Sequence, residues 1–546
     1  MRKTRIIIQL LVFVAFVSAF FFLNRNPTAY SWQSEVLLYA NPFTGFLVTI
    51  ASRSFFLPLA ITAVSIIVLT VVFGRFFCGF FCPLGAIIDF LDRFLFAKMR
   101  SAGRRVPRYF RRIKYVIMTA LIVLSLFGSL FPLIIDPLTM TTRFLTMIVN
   151  PVLNILGVDL IKIAGLAVPS VSAKIASVYS PLVPLYYGVI LTGGLMLLVL
   201  GGGFWGKRFW CGYICPTGAF LAVLSRYSIF RRKVVTDKCS SCSRCAKACP
   251  VEAIDLKNIS KTNISECIEC GVCTEIKESC SRFVIGGADK MIPVTGPDLQ
   301  KRHLIAGAAG GLLLLPVFRA TAISKRDDHG RLIRPPGALP EEKFLSRCTG
   351  CGECMKVCPT NALQPCMFTD GFSRFYTPKV VPRVGGCEEK CSLCGNVCPN
   401  GAIRKLPLEE KKFVKIGTAV IDRHRCLAWA QNRECLVCDE VCPYNAIEFK
   451  IVDTTKGRFK VPVVYEDLCA GCGLCEQHCP IFDTAAIVVY KFGENRRESG
   501  EYASRWQKEA ILERRRKSDS ANLEEESAAE DEFGASGSSF SDGFLE

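Results

Sequence analysis

Histidine is scarce in this sequence, which has only four among its 546 residues. They are His303, His329, His424 and His478, and all of them lie outside the long apolar runs expected to cross a membrane. A haem held inside the bilayer by two histidines is therefore excluded. The motif C-x-x-C-H is also missing, which excludes a covalently attached c-type haem.

Nucleotide-binding and nucleic-acid-binding signatures are missing as well. No G-x-G-x-x-G opens a strand-to-helix turn, so an NADH-oxidising module is excluded. The formal net charge is +19, but its lysines and arginines concentrate beside apolar runs, where the positive-inside rule explains them. No recognised nucleic-acid module accompanies the charge, so nucleic acid is not an expected partner.

Cysteine, by contrast, is abundant, with 29 residues. The stretch Cys348–Pro359 reads C-T-G-C-G-E-C-M-K-V-C-P, the spacing in which three thiolates bind one [4Fe-4S] cube and the fourth reaches a neighbouring cube. Six runs of four cysteines have this kind of spacing, and they pair into three two-cluster ferredoxin units. Structural zinc sites and disulfides are the alternatives, but neither requires the same cysteine spacing to be repeated six times.

Cross-ligation between paired runs predicts six [4Fe-4S] clusters. In the first unit, six residues separate Cys273 from Cys280 and Ser281 replaces the usual proline, which leaves ligation by Cys280 in doubt. The six predicted ligand sets are Cys239, Cys242, Cys245 and Cys280; Cys249, Cys267, Cys270 and Cys273; Cys348, Cys351, Cys354 and Cys398; Cys358, Cys387, Cys391 and Cys394; Cys426, Cys435, Cys438 and Cys479; and Cys442, Cys469, Cys472 and Cys475.

Long apolar runs predict a membrane part. Each run is about 20 residues long, enough to cross the hydrocarbon core as a helix. The expected fold class is an α-helical membrane bundle of four transmembrane helices plus a short fifth, followed by α+β ferredoxin-like units. The basic loop 98 to 114 has eight Lys or Arg and no acid, which places it in the cytoplasm together with the N-terminus and the segment after residue 205. The four predicted spans are Ile6–Leu23, Phe55–Phe73, Tyr115–Ile135 and Leu182–Phe204.

An internal repeat organises these helices. R-F-F-C-G-F-F-C-P-L-G-A at Arg75–Ala86 matches R-F-W-C-G-Y-I-C-P-T-G-A at Arg208–Ala219. Because the residue before a proline disfavours helical geometry, each cysteine pair is expected at a helix end or turn. Packing of small residues at a helix junction is one interpretation, and redox or metal chemistry is the other. The cysteines concerned are Cys78, Cys82, Cys211 and Cys215.

A further signal lies in the middle of the chain. Lys301-Arg302 precedes the apolar stretch Leu304–Phe318, which ends near Ala320-Thr321-Ala322, a pattern typical of an export signal. A buried helix or a short fifth membrane anchor are the alternatives. The sequence predicts a membrane domain at residues 1–236, a cytoplasmic two-cluster unit at 237–290 and the export signal or anchor at 300–322. Two exported two-cluster units are expected at 340–405 and 415–492, and a largely disordered charged tail at 500–546.

The quoted motifs carry a resemblance to known families. Residues 1 to 290 resemble the NapH-type membrane quinol dehydrogenase subunit of periplasmic nitrate reductase systems. Residues 300 to 490, with R-P-P-G-A at Arg334–Ala338 and the run Phe344–Leu363, resemble the NapG/MauM-type ferredoxin. The resemblance implies a fusion of the two that oxidises membrane quinol and delivers electrons to a periplasmic reductase or cytochrome.

Two other functions remain open from the sequence: electron input into the quinone pool, and a redox-sensing or maturation role for the repeated cysteines. A quinol site is expected at the membrane surface, with Asp136 as a proton acceptor, although Asp136-Pro137 also suits a helix cap. Cys366 belongs to no cluster run and has no predicted role.

Overall fold

A computed structural model describes residues 2–22, 41–54, 57–96, 107–157, 184–235, 239–256, 258–276, 280–285, 294–295, 300–323, 330–454 and 457–516. Most of the basic loop 98 to 114 and the tail from residue 517 lie outside this part of the chain. The regular elements in the described residues before Phe230 are all helices. Their α-helices are α1 Arg2–Phe22, α2 Pro42–Ser52, α3 Leu57–Phe73, α4 Phe76–Phe80, α5 Pro83–Leu91, α6 Ile113–Leu126, α7 Pro137–Phe144, α8 Val189–Gly201, α9 Phe209–Tyr213 and α10 Pro216–Leu224.

Proline at the first position starts four of these helices, namely α2, α5, α7 and α10. Proline suits that position because its missing N–H would have no partner there and its φ is already helical. The residue in front of each proline is the N-cap. Asn41 and Asp136 use their side chains to accept backbone N–H groups of the first turn, which satisfies donors that the helix leaves free.

The expected four-helix membrane bundle is wrong. In the described part of the chain only one helix, at Thr4–Phe21, is long and apolar enough to cross a membrane. The helices at the other predicted spans are shorter: α3 has 17 residues, α6 has 14 and α8 has 13. A run of 13 or 14 residues rises only about 20 Å as a helix, against about 30 Å of hydrocarbon.

Local chemistry explains the shortening. α6 ends before Gly128, whose φ of +82° leaves helical geometry, and the run continues as a 3-10 turn at Phe131–Ile135. α8 begins only after Gly188, which is left-handed at φ +76°. Glycine adopts such values without the steric cost that other residues incur. The predicted spans are therefore apolar along their whole length, but their described backbone does not form one continuous helix.

The predicted fifth segment is a helix, α11 Lys301–Ile323, with Pro316 inside it. It runs parallel to α6 at close range: a Cβ at Gly307 would meet Thr119, and one at Gly311 would meet Val123. The absence of side chains at these glycines lets the two backbones approach. The fifth crossing is not supported either, since α11 is not among the helices that qualify as a span in the described residues.

The cysteine-rich parts are built of short helices and two-stranded sheets. In the first unit, β1 Phe230–Val234 pairs antiparallel with β3 Ser281–Ile285, and β2 Thr262–Asn263 pairs parallel with β4 Val294–Thr295. The later units contain the antiparallel pairs β5 Leu363–Pro365 with β6 Pro378–Val380, β7 Thr418–Ile421 with β10 Ile487–Tyr490, and β8 Ile447–Thr454 with β9 Gly457–Val464. The helices are α12 Arg244–Ala248, α13 Val272–Glu275, α14 Glu341–Leu345, α15 Glu353–Lys356, α16 Leu393–Asn396, α17 Leu408–Lys411, α18 Leu427–Gln431, α19 Val437–Glu440 and α20 Leu474–His478.

The strand pairs enclose the cluster runs. β1 and β3 bracket the cysteines of the first unit, and β7 and β10 bracket those of the last unit. Residues 505 to 516 also form a helix, within the segment expected to be a disordered tail, and Arg515 lies 4.7 Å from the centre of the Tyr444 ring. The cysteine-rich parts therefore mix short helices and strands.

The two ferredoxin parts lie at opposite ends of α1. Near its start, Arg5 Nε donates to the carbonyl of Gly79, beside the first unit. Near its end, the carbonyl of Phe20 accepts a hydrogen bond of 2.9 Å from Lys356 of the second unit. Fifteen helical residues separate these contacts, which corresponds to about 22 Å.

Candidate iron–sulfur sites

Four cavities are each lined by one complete predicted ligand set. Their volumes are about 20 to 30 Å³. The first-unit cavity includes Cys280, so the irregular spacing after Cys273 does not remove it from the site. The four sets are Cys239, Cys242, Cys245 and Cys280; Cys348, Cys351, Cys354 and Cys398; Cys426, Cys435, Cys438 and Cys479; and Cys442, Cys469, Cys472 and Cys475.

The other two predicted sets also come together. Burial raises the pKa of Cys394 well above its usual value, and the nearby thiols of Cys387, Cys391 and Cys358 raise it further. In the first unit, Cys249, Cys267 and Cys270 pack in one apolar cluster. Burial likewise raises the pKa of Cys273 to about 12, with Cys270 and Cys249 contributing.

Backbone N–H groups point at several of these sulfurs. The amides of Ala253, Ile403 and Ala446 lie 3.3 to 3.4 Å from the sulfurs of Cys249, Cys398 and Cys442. Each of these three cysteines is the last of its run and precedes a proline. Hydrogen bonds to sulfur stabilise the charge of a ligating thiolate and tune the potential of a cluster.

The arrangement fits a cubane better than a single ion. In the described residues, no group of three or more His, Cys, Asp or Glu side chains is placed to hold one metal ion. A zinc ion needs its sulfurs at about 2.3 Å, which draws them close together. Four cysteines around one cavity are the donor set that a [4Fe-4S] cluster requires.

The repeated C-x-x-x-C-P cysteines converge on one buried place, which we call the four-thiol site: Cys78, Cys82, Cys211 and Cys215. The last three belong to a single apolar cluster, with Cys78 packed against it. Burial raises the pKa of Cys215 well above its usual value, and the other three thiols raise it further. The expectation of a helix end is confirmed, because Cys82 and Cys215 are the N-caps of α5 and α10.

Asp136 is completely buried and caps α7. Its carboxylate accepts from the backbone N–H of Thr139 at 3.1 Å and from the hydroxyl of Thr217 at 2.9 Å. Asn41, the cap of α2, also donates to it. Burial raises the pKa of Asp136, while these hydrogen bonds oppose the rise. The structure thus shows a structural role for Asp136, and its proton-acceptor role stays a prediction.

A buried ion cluster attaches the first ferredoxin unit to the helices. Glu266 lies 2.6 Å from Lys114 and 3.0 Å from Arg75, and all three side chains are at most 4% exposed. Burial alone would raise the pKa of Glu266, but Lys114 and Arg75 lower it to about 2. Sequence reasoning missed this cluster, because residues 114 and 266 are joined only by the tertiary fold.

A second contact missed from the sequence joins α7 to the second unit. Arg143 Nε donates to the carbonyl of Gly350 at 2.9 Å, and its guanidinium lies 4.0 Å from the centre of the Tyr376 ring. Thr142 donates to the carbonyl of Cys351 at 3.3 Å. The cluster loop around Gly350 is therefore fixed directly on a helix of the N-terminal part.

Known proteins resemble part of this chain. The methylamine utilization ferredoxin-type protein MauM of Methylorubrum extorquens is 36% identical over 203 residues, which are 35% of this chain and 88% of the relative. MauM of Methylophilus methylotrophus is 30% identical over 188 residues, 33% of this chain and 80% of the relative. The ferredoxin-type protein NapG of Escherichia coli K12 is 33% identical over 206 residues, 36% of this chain and 87% of the relative.

This chain belongs to the MauM/NapG family of ferredoxin-type proteins. It is an iron–sulfur electron-transfer protein, and the family match covers about a third of its length. Family profiles agree with several [4Fe-4S] clusters in this MauM/NapG-type protein. They match 4Fe-4S dicluster domains at 232–276 and 433–482, and 4Fe-4S binding domains at 55–101, 188–236 and 342–364. No solved structure matches the chain.

Proposed function

We propose that this protein oxidises quinol at a membrane and passes the electrons, one at a time, through six [4Fe-4S] clusters to a periplasmic reductase or cytochrome. The resemblance of residues 1 to 290 to NapH-type quinol dehydrogenase subunits supports the quinol step. Each bound cluster carries one electron, whereas quinol gives two electrons and two protons. The pair must therefore be divided at the quinol site.

Exposed apolar surface supports membrane association. On α1, the side chains of Ile7, Leu10 and Leu11 are 58%, 61% and 63% exposed. Ile190 of α8 and Leu313 of α11 are 91% and 77% exposed. Apolar patches of this kind mark interaction with a membrane or a partner. We assign the anchoring to α1, the one described helix that is both long and apolar enough to span the bilayer.

The ends of α1 support a sidedness. α1 lies beside the first ferredoxin unit near its N-terminus and contacts the second unit near its C-terminus. The positive-inside rule puts Arg2, Lys3 and Arg5 in the cytoplasm. We propose that the four later clusters face the periplasm, where the proposed acceptor is, because the second unit contacts the end of α1 opposite to these basic residues.

The observation that carries the quinol site is a cavity of about 760 Å³ between α1, α5 and the first unit. Its walls are largely apolar, and polar or charged groups come from Arg5, Gln9, Asp89, Asp92, Arg93 and Lys207. This composition suits a ligand with an apolar body and a few polar atoms. Ala248 and Pro250 also line it, and they flank the cluster ligand Cys249.

The polar groups of the cavity are fixed in place. Asp89 lies 2.6 Å from Arg208, and Gln9 donates to it at 3.1 Å. Burial alone would raise the pKa of Asp89, but Arg208 and Arg5 lower it to about 2. Asp89 is therefore an ionised hydrogen-bond acceptor, placed to orient a quinol hydroxyl. Asp136 does not line this cavity.

Two neighbouring leucines provide a test of the site. Leu10 lines the cavity and Leu11 does not, although both belong to α1 and are similarly exposed. We expect Leu10→Trp to obstruct the cavity and raise the KM for a short-chain quinol at least several-fold in purified membranes. Leu11→Trp is the matched control and should leave the KM unchanged. Equal kinetics of the two variants would contradict this quinol site.

Sidedness is tested separately with tags. A tag at Glu546 should be accessible to protease from the periplasm, whereas one inserted in the loop 98 to 114 should be protected. Immunoblotting also shows whether the chain is cut after Ala322; we expect retention of the full-length chain, because α11 is packed along α6. Cytoplasmic protection of both tags would contradict delivery to a periplasmic partner.

A further inference from the structure

The four-thiol site is built with internal two-fold symmetry. Arg208, from the second repeat, donates to the carbonyl of Cys78 in the first repeat at 2.8 Å. Arg75, from the first repeat, donates to the carbonyl of Cys211 in the second at 3.5 Å. Each motif thus holds the backbone of the other, and all four cysteines belong to one site rather than to two.

Equivalent glycines keep this junction tight. A Cβ at Gly85 would lie 3.2 Å from the carbonyl oxygen of Cys78, and one at Gly218 would lie 3.2 Å from that of Cys211. Both glycines follow a Cys-Pro step at the same place in the repeat. A glycine at the same position of each repeat therefore lets the backbone pack closely against the carbonyl group of the first cysteine of that repeat.

The chemistry of the site is that of a soft metal centre. Cys82, Cys211 and Cys215 are 8%, 9% and 5% exposed. Thiolates favour iron–sulfur clusters, zinc and copper(I). Four thiols that lie together are the number of ligands that an iron–sulfur centre takes.

The site also lies between the two ferredoxin parts. On one side, Cys78 packs against the apolar cluster that contains Cys249, Cys267 and Cys270. On the other side, the thiols share an apolar cluster with Leu138 and Met140 of α7. The same helix binds the Gly350–Cys351 loop of the second unit through Thr142 and Arg143. One helix, about 10 Å across, therefore separates the four-thiol site from that loop.

We propose that the four-thiol site holds a seventh iron–sulfur centre, which connects the first ferredoxin unit with the later two. The family profile describes 55–101 and 188–236 as separate cluster-binding domains, whereas the structure joins their cysteines in one site. The relay is a one-electron exchange. The cluster of the first unit is oxidised by one electron as the seventh centre is reduced, and the seventh centre is reoxidised as the second unit is reduced. No bond is formed or broken and no proton is transferred.

Iron content tests the proposal without depending on quinol oxidation. Six cubes contain about 24 irons, so a seventh centre raises the wild-type content to about 26 for a [2Fe-2S] or about 28 for a [4Fe-4S] centre. Replacing all four thiols by serine should lower the content to about 24 and remove one component from the Mössbauer and EPR spectra. Cys366→Ser is the matched control, since Cys366 is also fully buried but belongs to no cluster run, and it should retain the wild-type content.

The result that overturns the proposal is a wild-type content of about 24 that the four serines leave unchanged. If the fourfold variant fails to fold, the wild-type content alone decides. In that case about 26 or 28 irons supports the seventh centre, and about 24 contradicts it. Failure of quinol oxidation would leave this count unaffected, so the two proposals fail independently.

Discussion

Gly79 offers a sharp test of how the first repeat meets the first ferredoxin unit. It lies in α4, and a Cβ there would lie 2.4 Å from the carbonyl oxygen of Ile268, between Cys267 and Cys270. Its equivalent in the second repeat is Gly212 in α9, where an added Cβ has no atom within 4 Å. The same substitution therefore meets backbone at one position and open space at the other.

The size of the effect follows from the distances. Real Cβ contacts are almost never below 3.0 Å, so Gly79→Ala forces a displacement of at least about 0.6 Å at Ile268. Overpacking of this kind costs about 1 to 3 kcal/mol. Alanine recovers up to about 1 kcal/mol by its better helix propensity. We expect a net loss of about 1 to 2 kcal/mol for Gly79→Ala, and none for Gly212→Ala.

Hydrogen exchange of the amides of residues 262 to 274 measures this loss. A destabilisation of about 1 to 2 kcal/mol corresponds to a loss of protection of about 5- to 30-fold. Gly79→Ala should show this loss if the segment exchanges by local opening. Gly212→Ala should show wild-type protection. Equal protection in the two variants would refute the close approach of Gly79 to Ile268.

Three further perturbations test the buried contacts and the irregular ligand. Glu266→Gln leaves the charges of Lys114 and Arg75 buried without their carboxylate, so it should destabilise the first unit by about 3 to 5 kcal/mol in chemical denaturation. The control is Glu498→Gln, which removes a carboxylate from an exposed ion pair and should cost under about 1 kcal/mol. Because the pKa of Glu266 is lowered to about 2 on folding, the ionised carboxylate stabilises the folded protein above about pH 4.3, and this stabilisation should be lost between that pH and about pH 2. The acid-unfolding curve of Glu266→Gln should lack this loss. Asp136→Ala removes the cap of α7 and should cost about 0.5 to 2 kcal/mol in the same assay, while unchanged quinol oxidation in Asp136→Asn would rule out its proton role. Cys280→Ser should lower the iron content, and an unchanged content and EPR spectrum would show that Cys280 is not a ligand.

The ferredoxin units could be predicted from the sequence because spacing along the chain encodes them. In the run beginning at Cys348, ligands lie within a few residues of each other, so local geometry brings them together. The cross-ligation rule then placed Cys398 with that run, and Cys398 lines the same cavity as the other three cysteines. Even the irregular Cys280 lines the expected cavity. Short-range spacing and one known pairing rule were sufficient here.

The membrane bundle could not be predicted correctly, because hydropathy does not report where a helix stops. Gly128 and Gly188 interrupt apolar runs that composition alone presents as continuous. The contacts between repeats were also hidden, since Arg208 reaches Cys78 across 130 positions of sequence. The repeat itself was visible in the sequence, but its convergence on one site was not.

The proposed function requires electrons to pass from quinol into the iron–sulfur clusters. The most direct measurement is the EPR spectrum of anaerobic membranes after addition of a short-chain quinol, with dithionite as the full-reduction reference. Serine in place of Cys267 and Cys270 provides a variant that lacks a cluster of the first unit. We predict that quinol reduces clusters of the later units in the wild type and not in this variant, although dithionite reduces them in both. Clusters that dithionite reduces but quinol leaves oxidised in the wild type would contradict the account.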